Sequence, residues 1–255
     1  MTSWLSRQVS VLLIIFCVLM SEQLEIPEFY IDEHEQGWCV LVGERPVKTP
    51  AGNSLVVPDP HLADIIICEL QASIADKAPP GIASKLINTV IDRAAQDRPT
   101  WITSSSMQLL EDSLFIRVPE PQALRQLQDE HAKPFMQHGG LLLGSLPPPS
   151  CSLSFPEPGE AALCAAESFL CGLDDFSLLA FLGMAERCRS FLMAYGHLQG
   201  PCGIQEVGDY LLAEEIWQER LWGEDPEALD RRRNMLDDLA SFSRIALLAS
   251  QKQLK

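Results

Sequence analysis

The side chains best suited to bind another molecule lie near the end of the chain, in the segment E-E-I-W-Q-E-R-L-W-G-E-D from Glu214 to Asp225. Carboxylates, an amide and two indole rings share one predicted helix, which Gly223 ends before Asp225-Pro226 opens the next. Aromatic anchors among hydrogen-bonding groups are typical of a surface that holds a partner. The candidate partner-binding residues here are Glu214, Glu215, Trp217, Gln218 and Trp222.

The position of the acidic residues on this helix leaves two interpretations open. The pattern predicts one helix from Ile204 to Trp222. At about 100° per residue its apolar stripe contains Val207, Tyr210, Trp217 and Leu221. Glu214 falls near the middle of that stripe, so it is either a core group satisfied by Gln218, a neighbouring arginine or water, or a group that awaits a partner. Glu215 points further round the helix, and a register shift of one residue would exchange the two roles.

Two polar segments in the amino-terminal half are also candidates. The segment R-P-V-K-T-P-A-G places Arg45 and Lys48 close together in an acidic protein. A turn between edge strands explains its prolines and glycine without any function, and binding to an acidic stretch of a partner is the alternative. Further on, Asn88, Thr89 and Asp92 lie among apolar residues of a predicted helix. Such residues hydrogen-bond locally or fix a packing contact, so we expect them to determine the fold rather than to bind.

No local motif indicates catalysis or a bound metal. The sequence has no G-x-S-x-G, phosphate loop, G-x-G-x-x-G or H-E-x-x-H motif, and His131 and His138 are predicted to be an exposed, solvated pair. The eight cysteines include no C-x-x-C pair, so we expect small apolar side chains in a reducing compartment and neither a disulfide nor a metal. The sequence therefore predicts a protein that is not an enzyme and needs no cofactor.

Composition narrows the class of partner. An apolar share of 47% with 21% charged residues is typical of a globular protein. With 35 acidic and 19 basic residues the net charge is -16, which disfavours nucleic acid, because phosphate backbones would repel it. A basic or amphipathic protein surface remains a suitable partner.

The first 27 residues are predicted to be a non-structural extension. Their apolar run, Val11 to Met20, is too short to span a bilayer and has no small-residue cleavage site. Because Met20 offers a reasonable start, residues 1 to 19 are interpreted as an upstream translation, and a membrane anchor is the alternative. No stable membrane insertion is expected.

Turn residues and hydrophobic periods predict an α+β protein. Residues 28 to 146 are expected to form a β-rich antiparallel domain with helices. Its predicted elements after the first strands are helices at Pro60 to Leu70, Ile82 to Ala95 and Pro121 to Gln137, and strands at Leu114 to Val118 and Leu141 to Leu143.

The run Pro147 to Ser150 is predicted to be a stiff linker to an all-helical domain, residues 151 to 255. Its predicted helices run from Asp174 to Tyr195, from Ile204 to Trp222 and from Pro226 to Ala249.

Four motifs, taken in order, resemble the assembly-chaperone family of the F-type ATP synthase. They are G-E-R-P-V-K-T-P-A-G-N-S-L-V-V-P at Gly43 to Pro58, L-I-N-T-V-I-D at Leu86 to Asp92, L-D-D-F-S-L-L-A at Leu173 to Ala180, and W-Q-E-R-L-W-G-E-D. The resemblance covers roughly Phe29 to Leu248, nearly the whole chain. It implies a molecular chaperone whose client is the unassembled alpha subunit of the catalytic head, and it makes an acidic position of the carboxy-terminal helix important for that function.

This resemblance implies a chaperone that acts by masking an apolar surface, without ATP or metal. A bacterial cytoplasm is the expected compartment, because no Arg- and Ser-rich presequence is present, and the mitochondrial matrix is the alternative. A monomer is expected. The competing function is a small-molecule enzyme or ligand-binding protein with its pocket between the two domains.

Overall fold

A computed structural model describes residues 26–152, 154–223 and 226–250. These residues form a small antiparallel sheet followed by helices, which confirms the predicted α+β class. They divide into two compact units at the Arg93–Ala94 bond. The predicted linker at Pro147–Ser150 lies within the second unit and stays a prediction. Residues 1 to 25 of the predicted extension lie outside the described residues.

The sheet of the first unit is the predicted meander. Its strands are β1 (Phe29–His34), β2 (Gly37–Val42), β3 (Arg45–Pro46) and β4 (Val56–Val57). Strand β2 is central, and β1, β3 and β4 all pair with it antiparallel. Gly37 begins β2 with a φ of 151°, and a Cβ at this position would lie 2.2 Å from the carbonyl oxygen of Val57. Only glycine therefore allows β4 to lie against the start of β2.

Two helices complete the described part of the first unit, and side-chain carboxylates cap both. Helix α1 (Pro60–Asp76) begins as predicted, because Asp59 Oδ1 accepts a 2.8 Å hydrogen bond from the amide of His61. Helix α2 (Ile82–Met107) runs on into the second unit. Its first amides, at Ala83 and Ser84, donate to the carboxylate of Glu69 over 3.1 and 2.7 Å. This long-range cap fixes where α2 begins on α1.

The second unit is helical beyond α2. Its helices are α3 (Gln122–Leu143), α4 (Glu160–Cys171), α5 (Asp175–Cys188), α6 (Phe191–Leu198), α7 (Ile204–Leu211), α8 (Ala213–Trp222) and α9 (Pro226–Ser250). Helix α5 packs closely on α9 at Gly183, where a Cβ would lie 2.5 Å from the ring of Phe242. The absence of a side chain at Gly183 makes room for this ring. Phe181 and Phe191 are fully buried and pack edge to face, with ring centroids 5.0 Å apart. This aromatic packing joins α5 to α6.

Two predicted strands are wrong. In place of the predicted strand at residues 114 to 118, the structure has a 3-10 turn, Ser113–Phe115. A single β-bridge from Ile116 to Ser150 follows this turn. Residues 141 to 143 belong to α3, which continues through the glycine pair at 139 and 140. Gly139 lies inside the helix, where a Cβ would be 2.4 Å from the side chain of Leu192. The glycine therefore allows α3 to pack closely on Leu192.

Several predicted helix bounds are also wrong. Helix α2 passes the predicted end at Ala95, since no glycine follows to stop it. The predicted helix from Asp174 to Tyr195 is two helices, divided where Arg189 adopts a φ of 51° and Ser190 caps α6. The predicted helix from Ile204 to Trp222 is likewise divided, at Leu212. The last helix, Pro226–Ser250, is as predicted.

Candidate partner-binding site

The break at Leu212 decides which side chains α8 exposes. Leu212 is the carboxy-terminal cap of α7, and it has a φ of -98° and a ψ of -1°. The predicted apolar stripe is wrong, because its members on the two helices differ in exposure. Val207 and Tyr210 of α7 are buried, whereas Leu221 of α8 is 64% exposed. Glu214 is exposed as well, and it is not a core group.

Glu214 lies in the first turn of α8, with its carboxylate in solvent. Gln218 Nε2, one turn further along, donates to Glu214 Oε1 over 3.3 Å. This contact between two exposed side chains leaves the carboxylate accessible to a cationic group. The negative charge also suits the amino-terminal end of the helix, where the backbone amides point outward.

Glu215 is in a different environment, although it is the next residue. Its Oε1 lies 3.0 Å from Nε of Arg232 on α9, and its side chain is 40% exposed. Glu219, one turn further along α8, accepts a 2.8 Å hydrogen bond from Nη1 of the same arginine. Glu215 therefore belongs to an ion-pair cluster with Glu219 and Arg232, whereas Glu214 does not.

The two tryptophans of α8 also differ. Trp217 is half-buried, and Trp222 at the end of the helix is 78% exposed. Leu221 lies beside Trp222 in the chain and is also exposed. Leu221 and Trp222 thus form an apolar end on a helix whose first turn carries an accessible carboxylate. A surface of this kind is suited to bind a protein segment that contains a cation next to an apolar side chain.

Arg45 and Lys48 lie in the first unit and are exposed, so the structure places them in a different unit from the five candidates on α8. Lys48 Nζ donates to Ser54 Oγ over 3.0 Å across the loop. The same loop is held by Asp92 of α2, whose carboxylate accepts hydrogen bonds from Thr49 Oγ1, the amide of Ala51 and Asn53 Nδ2. The prediction that Asp92 determines the fold is confirmed.

Sequence reasoning missed a buried polar cluster beneath α7. Arg117 is 4% exposed; its Nε donates to Asp129 Oδ1 over 2.7 Å, and its Nη1 donates to the carbonyl of Leu114 and to the hydroxyl of Tyr210. Burial raises the pKa of the Tyr210 hydroxyl to about 12. The cluster ties α7 to α3, so it supports the turn from which α8 starts. No local sequence motif indicates this cluster, because its members are far apart in the chain.

The histidines and cysteines do not form a metal site in the part of the chain that the structure describes. His138 is not exposed as predicted: it is half-buried and stacks on Tyr195, with ring centroids 5.1 Å apart. Burial raises the pKa of the thiols of Cys39, Cys188 and Cys202. Among the described residues no group of histidines, cysteines or carboxylates could hold a metal ion. None of the described helices is long and apolar enough to cross a membrane.

Part of the chain matches a chaperone family model, and the fold resembles solved structures. Residues 27–139 match the family model of the ATP12 chaperone protein. The fold resembles the crystal structure of Atp12 from Paracoccus denitrificans, with a TM-score of 0.75 at 22% identity over 87% of this chain and 96% of that one. A mutant of the same bacterial protein gives a TM-score of 0.76 at 22% identity, over 89% and 97% of the two chains.

A crystal structure from Agrobacterium tumefaciens resembles the chain as well, with a TM-score of 0.77 at 24% identity over 87% of this chain and 84% of that one. No curated protein sequence matches the chain. The match to the ATP12 chaperone model agrees with the predicted resemblance to an assembly-chaperone family, and the solved structures show a shared fold. The family model is that of a chaperone protein.

Proposed function

We propose that this protein is an assembly chaperone of the F-type ATP synthase that binds the unassembled alpha subunit of the catalytic head. The motifs in the sequence and the match to the ATP12 chaperone protein support the chaperone role. In this proposal the chain works as a monomer in a bacterial cytoplasm and covers an apolar surface of the client until its beta partner replaces the chaperone. No bond is made or broken, so the activity is equilibrium binding.

The observation that carries the proposal is the exposed surface of α8. Trp222 is 78% exposed and Leu221 is 64% exposed, beside the accessible carboxylate of Glu214. Exposing an indole of this size to water costs free energy that a bound partner would recover. The client segment that fits carries a Lys or Arg next to an apolar side chain. Arg45 and Lys48 are proposed to meet an acidic stretch of the same client.

The test is charge reversal at Glu214 in the full-length protein. Glu214→Lys places a cation in the first turn of α8, which costs about 1 kcal/mol of folding stability at an exposed site. The protein is therefore expected to remain folded in a circular dichroism melt. Capture of purified alpha subunit, measured by suppression of its aggregation at near-equimolar ratio, is expected to fall by about tenfold or more, since like charges now meet at the interface.

A matched control separates the interface from a general effect of charge. Glu160 is exposed in the first turn of α4, so Glu160→Lys makes the same change in the first turn of another helix. It is expected to lose the same small stability and to keep full capture. Equal capture by both variants and the wild type would remove α8 from the binding surface. Failure of the wild-type protein to protect the alpha subunit would refute the client itself.

A further inference from the structure

Helix α8 is anchored weakly by apolar packing. Ala213 is its one buried residue, and Ile216 and Trp217 are only half-buried. Helix α5, by contrast, buries residues on nearly every side. A helix with so little apolar burial needs another interaction to fix its orientation, because its own hydrogen bonds do not set its rotation against the neighbouring helices.

Besides its packing on α3 and α7, helix α8 is joined to α9 through the side chain of Arg232. Its guanidinium reaches Glu215 over 3.0 Å and Glu219 over 2.8 Å, so one cation connects two carboxylates on consecutive turns of α8. The side chains of Arg232 and Glu219 are only 12% and 16% exposed. The second oxygen of Glu219 is buried and has no hydrogen-bond partner among the described residues. The charge of Glu219 is therefore balanced mainly by Arg232.

An arginine suits this cluster: its Nη1 donates a hydrogen bond to Glu219, and its Nε approaches Glu215 as an ion pair without hydrogen-bond geometry. The planar guanidinium presents several N–H donors in fixed directions and can engage two carboxylates at once, whereas the ammonium of lysine is a point charge. The hydrogen bond that Arg232 donates to Glu219, followed by the interactions with Glu215, raises the pKa of Arg232 above its ordinary value. The cation is thus stabilised by the two carboxylates that it joins.

Helical geometry connects this cluster to the candidate binding surface. Glu215 and Glu219 are four residues apart and share one side of α8. Glu214, Gln218 and Trp222 are also spaced by four, and their stripe lies about 100° round the helix. When Arg232 holds the first stripe against α9, the second stripe must face outward, as their exposure shows.

We propose that Arg232 is a positioning residue that sets the rotation of α8, so that Glu214, Gln218 and Trp222 form a preformed surface for a client segment bearing a cation beside an apolar side chain. The proposal rests on the proposed function, because it assigns a purpose to the orientation of that same surface. A preformed surface loses less entropy on binding than one that must be ordered by its client.

The experiment compares Arg232→Met with Arg233→Met in the full-length protein. Arg233 is the neighbouring residue on α9 and pairs with Asp230 of the same helix at the surface, so its variant removes the same charge without touching α8. Hydrogen exchange of the α8 amides is measured with the α5 amides as internal reference. Arg232→Met is expected to speed exchange in α8 by about tenfold or more, with α5 unchanged, and Arg233→Met is expected to change neither.

Capture of the alpha subunit is measured with the same samples. Arg232→Met is expected to weaken capture, and Arg232→Lys is expected to give intermediate exchange and intermediate capture. Unchanged α8 exchange in Arg232→Met overturns the inference, and so does acceleration of equal size in α5, which would show a merely structural role. Normal capture by Arg232→Met together with failed capture by Glu214→Lys also overturns it. Normal capture by both variants refutes α8 as the binding surface, and the inference falls with it.

Discussion

Asp112 carries a fully buried carboxyl group at the turn between α2 and the 3-10 segment Ser113–Phe115, and we expect it to make the folding stability depend on pH. Its Oδ1 accepts from the amide of Leu114 and its Oδ2 from the amide of Leu192, both over 2.9 Å. Burial raises the pKa of Asp112 from 3.8 to about 6, and hydrogen bonds from Leu192, Ser190 and Leu114 offset only part of that increase. The ionised form is therefore disfavoured in the folded state.

Proton binding by Asp112 determines whether the folding stability rises or falls with pH. The unfolded chain releases this proton near pH 3.8 and the folded protein near pH 6. Stability from the retained proton is fully present below the lower value and is lost as the pH rises through the higher one. A difference of about two units corresponds to about 3 kcal/mol, and roughly half of that loss falls between pH 5 and pH 7.5.

The substitution Asp112→Asn isolates this contribution. Asparagine has nearly the same shape, but its amide group cannot accept from both Leu114 and Leu192, so the variant is expected to lose about 1–3 kcal/mol at pH 5. At pH 7.5 the wild-type protein has lost the benefit of the proton, while the variant has no group to titrate there. The stability difference between the two proteins should therefore shrink by about 1–2 kcal/mol from pH 5 to pH 7.5.

Urea unfolding followed by circular dichroism at the two pH values measures this difference. The charged or titratable neighbours Cys188, Tyr210 and Arg117 are the same in both proteins, so their contributions cancel in the comparison. Asp76→Asn, which changes an exposed carboxylate in the last turn of α1, serves as the control and should follow the wild type at both pH values. A stability difference that stays constant or widens towards pH 7.5 would refute the reasoning.

Three further outcomes are expected. Asp92→Ala removes the acceptor that holds the loop at Thr49, so we expect a loss of about 2–4 kcal/mol in chemical unfolding, whereas a loss under about 1 kcal/mol would mean that the loop holds itself. Limited proteolysis should cut first between residues 145 and 160, and early cleavage within 176 to 193 would contradict the predicted linker. The melting temperature should not respond to chelator or reductant; a large decrease with either would mean that a metal or a disulfide stabilises the fold.

Local signals predicted the positions of several elements correctly. Asp59-Pro60 starts α1, Asp174 caps α5, and Pro226 opens the last helix. Each of these depends on hydrogen bonds or backbone angles within a few residues, so neighbouring residues contain the information. The alternation of apolar residues with glycines predicted the meander for the same reason.

Long-range packing explains the errors. A glycine pair is a common helix stop, but Gly139 lies inside α3 because the helix passes close to Leu192. The start of α2 depends on Glu69, which is more than ten residues earlier in the chain. The cluster around Arg117 joins residues as distant as Asp129 and Tyr210. None of these contacts leaves a periodic signal in the sequence.

The acidic pair on α8 shows how far sequence reasoning can reach at a binding site. The composition of the segment predicts a binding helix, which stays a prediction; the structure exposes one carboxylate and one indole on that helix. Neighbouring positions on a helix differ by about 100°, so the break at Leu212 was enough to invalidate the assignment of Glu214 to a core stripe. What separates Glu214 from Glu215 is Arg232, which lies on another helix within a run of three arginines. Only the fold selects one of those arginines as the partner of Glu215, and that selection leaves the carboxylate of Glu214 exposed.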